Sequence, residues 1–224
     1  MDPVSAESTN QPCAVVDIGL HTFGELGMHG DLASLVSNGR EERSLEYKRS
    51  MKWTEPITKA KVVKSTLAMA NLRDGGTLLF GVEEQNDTYL STGMSRDDYD
   101  SFNQDEVSVE VNNFADPFVE LVVVKQEIEG RLFVGIRVRE FQELPVICRR
   151  DGPERLRVGA LYVRPRRKHE TVEVPSQVEM REILDLALEK KVRLLYHQVE
   201  RMGAALTFPK DRDVEAFDEQ LGEL

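Results

Sequence analysis

A helix that runs through a double glycine into an apolar strand, residues 56–82, limits most severely what this chain can fold into. Pro56 opens the helix with a backbone angle already suited to a first turn. Ala60, Val63, Leu67 and Ala70 predict its buried stripe, and Lys59, Lys61 and Lys64 fall largely outside it. Asp74-Gly75-Gly76 makes a tight turn, and Thr77–Val82 reads as a buried strand. A strand of that kind needs cover from packed helices.

The other elements supply both sheet and cover. Leu32, Leu35 and Val36 sit at helical spacing behind Asp31 as N-cap, and Asn38-Gly39 ends that helix. Ser44–Ser50 alternates, with Leu45 and Tyr47 opposite Glu46 and Lys48, and predicts a half-buried strand. A helix near Asp105–Phe114 stops at Asp116-Pro117. Leu121–Gln126 and Arg131–Arg139 flank Glu129-Gly130 as a hairpin, and Pro145–Cys148 and Ala160–Arg164 are two further short strands. The longest helix runs from Ser176 to about Met202 and carries apolar residues on more than one face. The fold class is therefore α+β: a mixed β-sheet with packed helices and a long C-terminal helix. The domains are a flexible N-terminus over 1–20, one folded unit over 21–175, the helix over 176–202 and an acidic tail over 203–224.

Forty acids against 29 bases give a net charge of −11, which taken alone argues against a chain coated for nucleic acid. The distribution matters more. Residues 83–120 hold eleven acids and one base, Arg96, whereas 149–169 hold eight bases against Asp151 and Glu154. No apolar run is long enough to span a membrane, and the first residues lack a signal-peptide pattern. Cys13 and Cys148 make neither a disulfide framework nor a zinc site. A cytoplasmic setting is expected.

Three segments carry a resemblance. The first is Leu35-Val36 through Gly39, then Glu41 and Leu45-Glu46-Tyr47-Lys48; the second is Ala68-Met69-Ala70-Asn71 with Asp74 to Glu84; the third is Gly159 to Pro165. In this order they resemble the Schlafen AlbA-like family of nucleic-acid-binding domains, over roughly residues 30–170. The resemblance implies a divalent-metal-dependent endoribonuclease acting on tRNA-like structured RNA, with RNA favoured over DNA. It implies a carboxylate set of Glu41, Glu46 and Glu83, with Glu84 as substitute, holding Mg²⁺ or Mn²⁺. The third acid is Glu where the family often has Asp, and the two-lobed horseshoe and Cys/His zinc site of Schlafen nucleases have no counterpart here. A homodimer would rebuild the horseshoe.

The residues also have a chemistry of their own. Glu46 and Lys48 are two apart on a strand and share a face. Glu41 joins them only if the chain turns at Arg43. Clustered carboxylates bind hard cations through oxygen, and Lys48 would stabilise charge on a phosphorane. The competing reading makes Glu46 and Lys48 a solvated face and Glu83-Glu84 the polar start of a loop. Arg149, Arg150, Arg164, Arg166, Arg167 and Lys168 are the candidate phosphate-binding residues, unless they neutralise the acidic stretch. Few aromatics accompany them, which favours shape and backbone recognition over base stacking.

Other groups read as structural. Asn71 caps backbone, Trp53 and Cys148 pack, and the four histidines are scattered. The Gly75-Gly76 turn leads from helix to strand, the wrong direction for a phosphate-cradling loop. Two alternatives to the nuclease remain open. One is a non-catalytic nucleic-acid-binding module or regulator. The other is an interaction subunit of a larger complex, such as one of anti-phage defence, meeting its partner through the C-terminal helix and tail.

Overall fold

A computed structural model describes residues 31–86, 88–167 and 170–202. The N-terminus expected to be flexible, the acidic tail, Lys168 and His169 lie outside the described residues.

The chain runs α1 (Leu32–Ser37), β1 (Leu45–Lys48), α2 (Pro56–Ala70), β2 (Gly76–Phe80), then a small hairpin of β3 (Glu83–Gln85) and β4 (Thr88–Leu90). Helices α3 (Arg96–Ser101) and α4 (Gln104–Asn112) follow, then β5 (Ala115–Asp116), β6 (Leu121–Ile128) and β7 (Arg131–Val138). Short strands β8 (Ile147–Cys148), β9 (Tyr162–Val163) and β10 (Val172–Glu173) lead to α5 (Gln177–Arg201). The main sheet has the order β1-β2-β7-β6, with β1 parallel to β2 and the other pairs antiparallel. The α+β class with a mixed sheet and a long C-terminal helix is what the sequence led us to expect. Among the described residues no helix is long and apolar enough to cross a membrane.

The sheet is covered on both faces, which is why β2 is buried at every position. On one face α1 meets Leu45, Tyr47, Leu79 and Phe133 in a small apolar cluster. On the other, α2 and α4 pack over Leu78, Phe80, Val134, Ile136 and Val138. Pro56 stands in the first turn of α2 as expected, and the helix buries Ala60, Val63, Leu67 and Ala70 among others. The double glycine is required by close approach. A Cβ on Gly75 would collide with the Val138 carbonyl, and one on Gly76 with the Met69 thioether.

Two expectations need correcting. The strand around β1 is not half-buried. Glu46 is only 7% exposed, because its outward direction points at α2 rather than at water. The segment 91–103 also holds a helix, α3, that periodicity did not reveal. It buries none of its residues and is defined instead by Ser95, whose hydroxyl accepts from the Asp98 amide.

Candidate functional site

The site begins with a turn. Glu42 and Leu45 exchange backbone hydrogen bonds of 3.1 Å, so the chain reverses through Arg43 and Ser44 just before β1. The reversal lays Glu41 along the strand, where its Oε1 accepts from the Tyr47 amide at 2.8 Å. The turn that Glu41 needed in order to approach Glu46 is therefore present.

Glu46 is held from three directions. Ser65 of α2 donates to its Oε1 at 3.0 Å, Lys48 also donates to Oε1, and Arg164 Nη1 donates to Oε2 at 2.5 Å. Arg164 has no solvent exposure. Its Nε donates to the Arg43 carbonyl at 2.8 Å and its Nη2 to the Glu42 carbonyl at 3.2 Å. The planar guanidinium thus spends its donors on one carboxylate and on the turn that carries Glu41.

Arg43 answers in kind, donating from Nε to the Arg164 carbonyl at 2.5 Å. Its two terminal nitrogens grip Glu182 of α5 at 2.6 and 2.9 Å. Two sets of ion pairs, Lys48–Glu46–Arg164 and Arg43–Glu182, linked by the hydrogen bonds between each arginine and the other's carbonyl, therefore join β1 to the C-terminal helix.

The electrostatics follow the contacts. Burial holds the Glu41 carboxyl above its ordinary range, the neighbouring Glu46 charge adds to this, and the Tyr47 amide, Arg164 and Lys48 oppose it. Hydrogen bonds from Arg43 hold the Glu182 carboxyl below its ordinary range against the effect of burial. Burial pushes the Cys148 thiol up.

Glu83 does not join the other two carboxylates. After Phe80 the chain bends at Gly81, which adopts φ 103°, and departs into the β3–β4 hairpin. There Glu83 accepts from its own neighbour Gln85 at 3.3 Å. Among the described residues no three His, Cys, Asp or Glu side chains are grouped to hold a metal. Glu46 already has both oxygens engaged by the chain's own donors. The residues as arranged do not fit a three-carboxylate cation site.

The expected phosphate-binding set divides. Arg164 must be removed from it: the short strand β9 turns the side chain inward, where it neutralises Glu46. Arg149, Arg150, Arg166 and Arg167 are exposed. Arg150 stacks 4.0 Å from the Phe114 ring centroid, and Arg166 pairs with Glu182 at 3.3 Å. The arginines of the segment that do find acids find them beyond the 83–120 stretch: Arg166 takes Glu182, and Arg157 takes Glu173 at 2.9 Å.

The structure adds partners that the sequence reading left out. Lys64 Nζ donates to the Glu154 carbonyl at 3.3 Å and lies 5.4 Å from the Tyr162 ring centroid. That contact places the exposed side of α2, with Lys61 and Lys64, against the loop that carries Arg149, Arg150, Arg155 and Arg157. The available signal was the set of lysines outside the helix stripe; what was missing was the fold that sets them beside the arginines.

Asn71 holds backbone, as its position implied, but over a longer reach. Its amide donates to the Val146 and Tyr162 carbonyls at 2.8 and 3.1 Å and accepts from the Val146 amide at 2.8 Å. Trp53 is buried against Phe102 and is not available for stacking.

The Schlafen, AlbA_2 family model matches residues 41–173, more than half of the chain. The chain belongs to the Schlafen AlbA_2 family. Its matched span begins at Glu41 and ends at Glu173, so it encloses the Glu46–Arg164 pair. No curated protein matches the chain. Among solved structures, it is similar to the DIP2311 protein of Corynebacterium diphtheriae, at 18% identity and a TM-score of 0.43. That match covers 63% of this chain and 25% of the other, so the chain spans a quarter of that protein's structure. It is also similar to the N-terminal domain of a Nitrosomonas europaea protein whose name relates it to the ATP-dependent DNA helicase RecG. There the identity is 19% and the TM-score 0.39, with 59% of this chain and 91% of the other covered.

Proposed function

We propose that this Schlafen AlbA_2 domain is a nucleic-acid-binding module that grips phosphate backbone. Its surface is the exposed side of α2 together with the Arg149–Arg157 loop. Membership of a family of nucleic-acid-binding or nuclease-like domains supports the class of ligand. The observation that carries the reading is the Lys64–Glu154 contact, which merges two basic segments far apart in sequence into one surface. Lys and Arg on one face release counterions when they meet phosphates, so binding weakens steeply with salt. The aromatic rings beneath this face, Tyr162 and Phe114, are buried, which favours backbone contact over base stacking. In this reading the Glu46–Arg164 pair is the internal tie that fixes the turn and the sheet.

A second reading, a Mg²⁺- or Mn²⁺-dependent endoribonuclease for tRNA-like RNA, is favoured by one observation. Glu41 folds back along β1 to accept from the amide of Tyr47, the residue next to Glu46.

Gel shifts and product analysis with total tRNA and with single- and double-stranded DNA separate the two. Each substrate is incubated with Mn²⁺, Mg²⁺ or EDTA, beside Glu41→Gln. Shifted but intact nucleic acid in every lane is the result expected of the binding module. Metal-dependent fragments that disappear in Glu41→Gln would replace it with the nuclease. Absence of any shift at low salt would remove both.

A further inference from the structure

We propose that the outward face of α5 is a seam that pairs with the same helix of a second copy of this chain, in parallel. The helix has two apolar faces with different fates. Ile183 and Leu186 are its buried residues, and they seat it on the domain. Nearly opposite them, Leu184, Leu188, Val192, Leu195, Val199 and Met202 fall within an arc of about 80° at helical pitch. Leu188 is 63% exposed, Leu195 55% and Met202 81%.

The second half of the helix leaves the domain. The ion pairs that tie α5 to the body run from Glu182 to Lys191, with Arg43, Arg166, Arg73, Glu140 and Glu143 as partners. Beyond Lys191 the pairs found among the described residues are internal, such as His197 with Glu200. A helical segment of some ten residues without tertiary support is marginal in water. One that also displays an apolar stripe is better explained by a partner.

The spacing identifies the partner as a helix. From Leu188 the steps to Val192, Leu195, Val199 and Met202 are 4, 3, 4 and 3, the repeat of a coiled-coil seam. Valine occupies both positions of one class, and leucine with methionine the other. That distribution, β-branched at one seam position and leucine at the next, favours two parallel strands. The stripe exposes on the order of 500 Å² per helix, so a symmetric pair covers about 1,000 Å², where specific interfaces begin.

Light scattering with chromatography of the full chain at micromolar concentration reads the mass. The expected result is twice the mass of the chain for the unaltered protein and a single mass for Leu188→Glu/Leu195→Glu. Because both leucines are exposed, the variant keeps the thermal transition of the domain, which the same sample checks. Val199→Cys, oxidised beside the unaltered protein, is expected to give a new cross-linked dimer, since this position meets its own copy only in the parallel arrangement. A monomeric unaltered chain overturns the proposal, as does a dimer that survives the double substitution. A dimer that Val199→Cys fails to cross-link overturns the parallel arrangement.

Discussion

Arg43 and Arg164 each donate a guanidinium hydrogen bond to the other's backbone carbonyl, at 2.5 and 2.8 Å, across 121 residues of sequence. The exchange locks the turn before β1 to the segment after β9. Each arginine then has donors left for one carboxylate: Glu46 inside the domain for Arg164, Glu182 on α5 for Arg43. Arg164, which the sequence places in a basic surface, and Arg43, which it places at a turn, together fasten the fold.

The buried half of this arrangement predicts a large and non-additive effect. Arg164→Met leaves Glu46 with Lys48 and Ser65, strips the Arg43 carbonyl of its guanidinium donor and leaves the Glu42 carbonyl with the Leu45 amide. Breaking a buried ion pair from one side costs about 3–5 kcal/mol. Glu46→Gln is expected to cost a comparable amount by leaving Arg164 uncompensated. The double substitution should recover part of the loss. Urea denaturation of the four proteins measures this coupling; simple addition of the two single effects would mean that the pair does not act as a unit.

The exposed half responds to pH. Glu182 has its carboxyl lowered by Arg43, so its contribution is complete above the ordinary carboxylate value, about 4.3, and fades as pH falls through the lowered value. Its side chain is about one-third exposed, so solvent screening keeps the effect well below that of the buried pair. Thermal melts from neutral to acid pH should show Glu182→Gln less stable than the unaltered chain at neutral pH, with the gap closing in acid. A gap that stays constant with pH would assign the loss to packing.

Glu41 carries the opposite sign. Its carboxyl is raised, chiefly by burial, so the folded chain holds that proton to higher pH than the unfolded chain. The associated penalty is absent below the ordinary carboxylate value and grows as pH rises through the raised one. Glu41→Gln keeps an oxygen for the Tyr47 amide and loses the charge. The variant should therefore melt at or above the temperature of the unaltered chain at neutral pH, with any advantage vanishing in acid. A lower melting temperature at neutral pH would show that Lys48 and Arg164 need this second negative charge.

What was legible in the sequence was what repetition encodes. The stripe of α2, the apolar run of β2, the β6–β7 hairpin around Glu129-Gly130 and the length of α5 each repeat a pattern over several residues. The family followed from three ordered segments. Arg164 was misplaced because a lone arginine in a row of basic residues has no local mark of burial. Its direction is set by a two-residue strand and by a carboxylate 118 positions away. The family resemblance groups Glu83 with Glu46, whereas the bend at Gly81 that carries it away is a matter of one backbone angle. The small helix α3 has no buried face, so only its Ser95 cap could have announced it.

Asn71 offers a test of the core that avoids charge altogether. One buried side chain makes three hydrogen bonds to the backbone of the β8 and β9 segments, and so ties the end of α2 to the strands that lead to Arg164. Asn71→Leu fills a similar volume but orphans the Val146 amide and two carbonyls. Unsatisfied buried groups cost about 1–3 kcal/mol each, so a loss of several kcal/mol is expected in urea denaturation. A loss under 1 kcal/mol would mean that water or a local shift replaces the amide.

The basic surface makes the last prediction. Lys61 and Lys64 project from α2 beside the Arg149–Arg157 loop, and neither belongs to the buried stripe of the helix. Replacing both by glutamine should cost little in the thermal transition, since Lys61 is exposed and Lys64 loses a surface bond to a carbonyl and its position over the Tyr162 ring. Affinity for tRNA or duplex DNA should nevertheless fall, and to a similar degree across sequences, because phosphate contacts carry no base information. The slope of log affinity against log salt should decrease by about one for each lysine that meets a phosphate. Fluorescence anisotropy across a salt series measures both quantities. An unchanged slope with unchanged affinity would move the interface off α2 and toward the Arg166–Arg167 end of the segment.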